Sequence, residues 1–319
     1  MNPKTSEKQA ASAKQADQTH KKKTKKKSGL QEFIESIGVA LIAAFILRIF
    51  LVQSFKIPTG SMKDTLMIGD MLLVNKFIYG VRTPNRIPFT DIKIPYIRLP
   101  GFRDPKRGNI VVFKFPDNPG LDYIKRCVGV GGQTLEVRHG WVYIDGVIEG
   151  KRKKIVSGKF DNERSDQDYF DYYEIRTDWG DTYTVRQRSN YEINLDNFGP
   201  VRIPRKGQTI HFPLKNEDEV KLYRKLIVNR EKHTFQETND SRLVVIDGKV
   251  TDSYTVEEDY YFMMGDNRDN SSDSRDWGFM PRENVVGEAL IIFFSYDANE
   301  PFYDLSSLVR WSRIGMIIR

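Results

Sequence analysis

A chain of 319 residues, 39% apolar and 29% charged, is long enough for one large or two modest folded bodies and has the composition of a chain that buries a core. Its formal charge of +7 resides in residues 1–29, where nine Lys face Glu7 and Asp17, and the remainder is neutral overall. A nucleic-acid-binding fold carries its basic residues on the folded surface, so nucleic acid is excluded as a partner. The single cysteine, Cys127, excludes an intrachain disulfide and a cysteine zinc cluster; with four scattered His and no H-E-x-x-H, neither a metal nor a cofactor is expected.

Residues 1–29 are rich in Lys, Ala, Gln, Ser and Thr, contain no aromatic residue, and are expected to form a disordered basic arm. The composition then reverses. Phe33 to Phe55, "FIESIGVALIAAFILRIFLVQSF", carries charges only at Glu35 and Arg48 and comes close to the roughly 20 residues that cross a hydrocarbon core about 30 Å thick. The expectation is a transmembrane helix over 30–55, with the N-terminus held in the cytoplasm by six Lys between Lys21 and Lys27 and the rest of the chain outside. Two other readings compete: a cleaved secretory signal, with Val52-Gln53-Ser54 as a loose small-x-small site, and a buried core helix, which would need a polar face that Ile37 to Val52 does not show.

Beyond Phe55 the chain reads as mostly β, in curled antiparallel sheets. Short β-branched or aromatic runs at Asp70 to Gly80, Gly108 to Pro116, Asp122 to Val130, Thr134 to Gly146, Arg242 to Val250, Asp259 to Asp266 and Val285 to Asp297 are punctuated by Gly, Pro, Asn and Asp. Only Asp218 to Val228 has a helical pattern. Residues 149–241, more charged and with weak strand signals, are expected to be a subdomain inserted between two parts of a core, 56–148 and 242–300. The tail 301–319, ending in "LVRWSRIGMIIR", is short and amphipathic and is expected to lie near a membrane surface without spanning it.

Three stretches concentrate reactive groups. In "SFKIPTGSMKDTL", Gly60 permits a strained turn from which Ser61 projects its hydroxyl with its own N–H free for an oxyanion. A serine nucleophile needs a base, and with histidine scarce lysine is the next candidate. Lys63 sits in a wet, charged setting beside Asp64. Lys125 shares a strand face with Tyr123 and Cys127, poor company for a charge, and burial there would lower its pKa; the alternative is a lysine that snorkels to solvent. The third stretch, "GDNRDNSSDSRDWG" from Gly265 to Gly278, is either a calcium loop using Asp266, Asn270 and Asp273 or a rigid polar loop with internal Arg–Asp pairs; the EF-hand ligand order and closing Glu are missing.

In this order and after an apolar span, "IPTGSM", "DYIKRCVG" and "GDNRDNSSDSRDWG" resemble bacterial type I signal peptidases, Ser/Lys proteases of the S26 family that remove signal peptides from exported preproteins. The resemblance covers roughly Ala40 to Gly80, Lys106 to Gly146 and Asp259 to Asp297, plus the terminal "RWSRIG". It implies the signal-peptidase and repressor-protease type of β core. Ser61 would be the nucleophile, Lys125 the general base and Ser271 the group that orients the lysine. Thr59 and the Ser61 N–H would form the oxyanion hole, and Arg126, Asp273 and Arg275 structural ion pairs. Shallow pockets for small substrate residues would be lined by Phe55, Ile57, Pro58, Met62, Leu66, Leu72, Val112, Tyr123 and Ile124. The implied partners are secretory preproteins, membrane lipid and a nearby Sec translocon, and the implied location is the bacterial inner membrane, single-pass, with the catalytic body outside. Thr59 stands where the family usually has Ser, Asp64 where it has Pro, and Gly131-Gly132-Gln133 where it has Pro-Gly-Asp. A self-cleaving repressor-type protease would share the chemistry but predicts an N-terminal DNA-binding domain. A non-catalytic membrane-anchored peptide-binding chaperone or adaptor, working by strand addition, is the alternative from another class.

Overall fold

The structure is a computed structural model that describes residues 29–50, 52–82, 97–138, 140–149, 170–176, 182–188, 197–297, 300–301 and 303–319. The basic arm expected at 1–29 lies outside the described residues except for its last. Two units divide the chain, Met1–Leu47 and Arg48–Arg319.

In the first unit the described residues belong to a helix, α1 (Gly29–Phe50), with Glu32 in its first turn where the helix dipole favours an acid. Side chains 42–50 lie outside the description, and among the described residues no helix is long and apolar enough to cross a membrane. The helix also ends earlier than the apolar run suggests: Val52–Lys56 is a strand, β1, not a last helical turn. It pairs antiparallel with β2 (Asp70–Asn75), Phe55 opposite Leu72, so these apolar residues serve a sheet.

The second unit is mostly β. Its strands continue as β3 (Ile110–Phe115), β4 (Asn118–Val130), β5 (Thr134–Arg138), β6 (Trp141–Ile144), β7 (Val147–Ile148), β8 (Phe170–Arg176), β9 (Thr182–Arg188), β10 (Phe198–Arg202), β11 (Thr209–His211), β12 (Phe235–Glu237), β13 (Val244–Ile246), β14 (Lys249–Thr251), β15 (Ser253–Thr255), β16 (Tyr260–Met264), β17 (Met280–Pro281) and β18 (Val285–Ser295). A seven-stranded antiparallel sheet runs β1-β2-β18-β3-β4-β16-β17, and a four-stranded one runs β10-β5-β6-β7.

Alternation along β3 shows how the large sheet buries both faces. Ile110 and Val112 join Phe55, Leu72, Val74, Ala289 and Ile292 in one cluster, while Val111 and Phe113 join Tyr79, Cys127, Met263 and Trp277 in another. The helix expected at Asp218 to Val228 is present as α2 (Glu217–Lys225) with a further wide turn to Arg230. Asn216 caps it by accepting from the Glu219 N–H, and acids in its first turn and bases in its last suit the dipole. Leu222, Tyr223, Leu226 and Ile227 bury its apolar face in a core shared with β5, β6, β10 and β16. From Asn197 on, therefore, the stretch expected to be a separate insert shares a sheet and a core with its neighbours, whereas β8 and β9 pair with each other.

The tail is docked on the sheet. Ile317 bridges to Ile291, and the Ile318 N–H donates to the Leu290 carbonyl at 2.9 Å, on the edge of β18 that β3 leaves vacant beyond Glu288.

Two edges of the large sheet are left open for a further strand. β1 ends the sheet, and β4 pairs with β16 only from Arg126 onward, so that from Asn118 to Lys125 one side of β4 has no strand beside it among the described residues. Phe55 and Ile57 from the first edge and Ile124 from the second pack into the same apolar cluster.

Candidate active site

The chain leaves β1 through Ile57, whose N–H donates to the Asp70 carbonyl at 2.9 Å and whose carbonyl accepts from Gly69 at 3.1 Å. The intervening loop is thereby closed at its neck. Within it, Gly60–Met62 forms one tight helical turn, pinned from below by Met62 and Leu66, which are 1% and 0% exposed. Ser61 is its second residue, and the first N–H groups of such a turn have no acceptor within it. Thr59 sits at the turn's start in extended conformation, its hydroxyl making no capping bond. The strained turn and close approach expected at Gly60 are not seen there, since its φ is not positive and a Cβ would meet nothing within 4 Å; the non-glycine residue of the loop with positive φ is Asp64, at 84°. A proline ring cannot adopt that angle, which accounts for Asp where the family has Pro.

From the opposite side the loop after β16 grips this turn. Asn267 donates its N–H to the Ser61 carbonyl at 3.1 Å and its side-chain amide to the Gly60 carbonyl at 3.0 Å. Gly265 makes the approach possible, since a Cβ there would lie 2.5 Å from the Ser61 carbonyl oxygen and 2.2 Å from the Ser271 Oγ.

Lys125 reaches Ser61 from β4. Its Nζ lies 2.6 Å from the Ser61 Oγ, in a hydrogen bond, and the residue is 4% exposed. The tip lies 5.6 Å from the centre of the Tyr123 ring. Burial drives its pKa down, to about 8; Asp273 and Asp266 oppose the shift and Arg275 adds to it. About a tenth of the amine is therefore neutral at pH 7, far more than at an ordinary lysine.

Two ion pairs frame this contact. Asp273 and Arg275, 0% and 2% exposed, form an ion pair in which the guanidinium donates two hydrogen bonds, at 2.9 and 2.8 Å, and the Gly265 N–H donates to Asp273 as well. Burial pushes the Asp273 carboxyl up, but the Arg275 guanidinium outweighs it and holds the group below its usual range. At Lys125 desolvation is the largest influence, and the two acids that would raise the pKa are opposed by Arg275.

Arg126 belongs to the other pair. Its guanidinium forks onto Asp266 at 2.7 and 2.8 Å and donates to the Gly108 carbonyl at 2.7 Å. The same carboxylate accepts from the Thr65 hydroxyl, tying the end of the Ser61 loop to the strand that carries Lys125.

Of the nine expected pocket residues, Phe55, Ile57, Met62, Leu66, Leu72, Val112 and Ile124 share one apolar cluster. Pro58 is exposed beside it. Tyr123 faces the other way, stacked on Phe115 at 4.3 Å, because successive residues of β4 alternate sides. Ser271 lies against Gly265 beside the turn, but its buried Oγ has no hydrogen-bond partner, so the orienting bond to Lys125 is not made. Sequence reasoning left Thr65, Gly265 and Asn267 without a role and gave Asp266 only that of a candidate calcium ligand. Their contacts run between segments about 200 positions apart, beyond the reach of local pattern. Of the residues that the calcium-loop alternative would use, Asp266 pairs with Arg126 and Asp273 with Arg275, which is the arrangement of the rigid polar loop.

The model for the family described as "Signal peptidase, peptidase S26" matches residues 30–294. The chain belongs to that family. Among named relatives, a signal peptidase I of Buchnera aphidicola (subsp. Acyrthosiphon pisum) is 31% identical over 93% of this chain and 86% of its own length. The signal peptidase I of Pseudomonas aeruginosa is 30% identical over 92% and 82%. A crystal structure of a signal peptidase I from Enterococcus faecalis is similar to 58% of this chain and 97% of its own, with 21% identity and a TM-score of 0.24. The S26 match takes in the Ser61 turn, Lys125 and the polar loop at Gly265–Gly278.

Proposed function

We propose that this protein removes N-terminal signal peptides from exported preproteins, as a serine endopeptidase working through a Ser61–Lys125 dyad. One observation carries the reading: the buried Lys125 amine lies 2.6 Å from the Ser61 hydroxyl, with its pKa lowered to about 8. With the amine neutral, the hydroxyl donates into its lone pair, and Lys125 takes the proton as Ser61 Oγ attacks the scissile carbonyl. The Thr59 hydroxyl and the Ser61 N–H stabilise the oxyanion. The lysine proton passes to the departing amine, leaving the signal peptide as an ester on Ser61. A water deprotonated by Lys125 hydrolyses that ester and restores the hydroxyl. Ser271, buried and without a partner, is the group that turns to orient the amine.

The preprotein enters as an extended strand between the open edges of β1 and β4. Its small residues at the first and third positions before the scissile bond rest on the cluster of Phe55, Ile57, Leu72, Val112 and Ile124.

We also propose that α1 anchors the enzyme. Its 22 residues would extend about 33 Å, enough for a hydrocarbon core of about 30 Å. The basic arm fixes the N-terminus in the cytoplasm, and the second unit works at the outer face of the bacterial cytoplasmic membrane, in contact with lipid and near the Sec translocon.

A non-catalytic chaperone or adaptor has no use for a desolvated lysine against a serine. Processing of a preprotein in detergent by wild type, Ser61→Ala and Lys125→Ala separates the readings. Cleavage by wild type alone is expected, and full activity in either variant overturns the dyad.

A further inference from the structure

The wide turn after α2 sends two cations towards the polar loop that carries Asp273. Lys225 donates to the Asp276 carbonyl at 2.6 Å, and Arg230 to the carbonyls of Trp277 at 2.7 Å and Phe279 at 3.4 Å. Asp276 and Trp277 close the short helical turn Ser274–Trp277, whose final carbonyls find no N–H donor within it. The third arm of Arg230 reaches in another direction, to the Asp117 carboxylate at 2.5 Å, in the turn between β3 and β4. Its side chain is only 4% exposed, whereas the Asp117 carboxylate that it reaches is 42% exposed.

Both targets lead to the reaction. Asp117 directly precedes the open edge of β4 at Asn118–Lys125, where the substrate strand is expected. Trp277 packs edge-on against Phe115 at 5.9 Å, Phe115 stacks on Tyr123 at 4.3 Å, and the Tyr123 ring lies 5.6 Å from the Lys125 amine. A close-packed row of aromatic rings transmits displacement, because such interiors have little free volume.

We infer that Arg230 is a positioning residue for the cleavage reaction, one arm setting the edge of β4 that receives the preprotein and the other the aromatic row that packs against the general base. The inference rests on the proposed function. It gives the segment following β10, which no part of the dyad uses, a role in the chemistry.

The test is steady-state cleavage of a preprotein by the full-length protein in detergent, for wild type, Arg230→Ala, Arg230→Lys and Asp117→Asn, with Ser61→Ala as the control. Thermal melting of each variant gives the folded fraction. Arg230→Ala is expected to lower kcat about tenfold or more per folded molecule, because small misplacements near reacting atoms are costly. Its pH midpoint should move upward, as water reaches the lysine. Asp117→Asn is expected to raise KM about threefold to tenfold with a far smaller change in kcat. Arg230→Lys, with one ammonium to serve one target, should recover most of kcat while keeping a raised KM. Wild-type kcat and pH midpoint in folded Arg230→Ala would overturn the inference, as would losses in all variants that merely follow the folded fraction. If wild type itself fails to cleave, or Ser61→Ala cleaves, it is the proposed function that falls.

Discussion

The Lys125 amine lies 2.6 Å from the Ser61 hydroxyl in a residue 4% exposed, so its pKa is set by the absence of water and not by a neighbouring acid. With a pKa of about 8, lowered mainly by burial, the amine is mostly protonated at pH 7 and mostly neutral at pH 9. The rate should therefore rise with pH through a midpoint near 8. A pH profile of kcat/KM on a preprotein checks it, and a midpoint near 10.5, the ordinary lysine value, would show that the amine is not desolvated when it acts.

The same burial carries a stability consequence. From the ordinary 10.5 down to about 8, the unfolded chain binds a proton at Lys125 that the folded chain does not, so stability falls as pH falls through that window. Below it both states are protonated, and the native state carries the whole cost, about 3 kcal/mol. Lys125→Met should be inactive yet more stable at pH 7 by up to that amount, with a gain that shrinks towards pH 10.5. Urea unfolding at the two pH values decides it, and an equal gain at both would remove desolvation as the cause.

How much of this was legible beforehand follows from the range of the interactions. Alternation along β4 sets Lys125 among Tyr123 and Cys127 and marks it for burial without knowledge of any other strand. The same alternation puts Tyr123 on the face opposite Ile124, which the pocket expectation overlooked. Local pattern also finds α2, because its cap and charge distribution lie within its own residues.

The end of α1 is hidden for a different reason. Val52 to Phe55 follows the helix with no Gly or Pro between, and it is a strand because β2 lies alongside. Likewise, Arg126 pairs with Asp266 over 140 positions, and Arg313 with Asp70 over 243. Neither partner can be chosen until the sheet has formed.

Gly265 is where two loops touch. A Cβ there would stand 2.2 Å from the Ser271 Oγ and 2.5 Å from the Ser61 carbonyl, distances that force one of them to move. Gly265→Ala should cut kcat about 100-fold while the protein stays folded, because the displaced group is the nucleophile's own residue. Comparing cleavage with thermal melting of the same preparation tests this; wild-type activity would mean that the gap between the loops is wider in solution.

Thr59 offers its hydroxyl to no capping partner and borders the Ser61 turn. Loss of an oxyanion donor typically costs 10²–10³ in kcat, about 3 to 4 kcal/mol, so Thr59→Ala should be slow but active, with KM little changed. Thr59→Ser should restore the rate, since it keeps the hydroxyl. An unchanged rate in Thr59→Ala would remove Thr59 from the oxyanion hole.

The C-terminal tail reaches the nucleophile loop through Arg313. Its guanidinium forks onto Asp70 at 3.0 and 2.6 Å and donates to the Thr65 carbonyl at 2.9 Å, while Ser295 and the Met67 N–H also bond the Asp70 carboxylate. The Asp70 side chain is 0% exposed and that of Arg313 12%. Removing the cation leaves a buried carboxylate uncompensated, which costs about 3 to 5 kcal/mol in comparable pairs. Arg313→Ala should lose about that much stability to urea, and Arg313→Lys somewhat less, because an ammonium cannot fork across both oxygens. Since the freed loop carries Ser61, Arg313→Ala should also cleave more slowly per folded molecule. If both substitutions leave unfolding and cleavage unchanged, the tail does no more than cover the edge of β18.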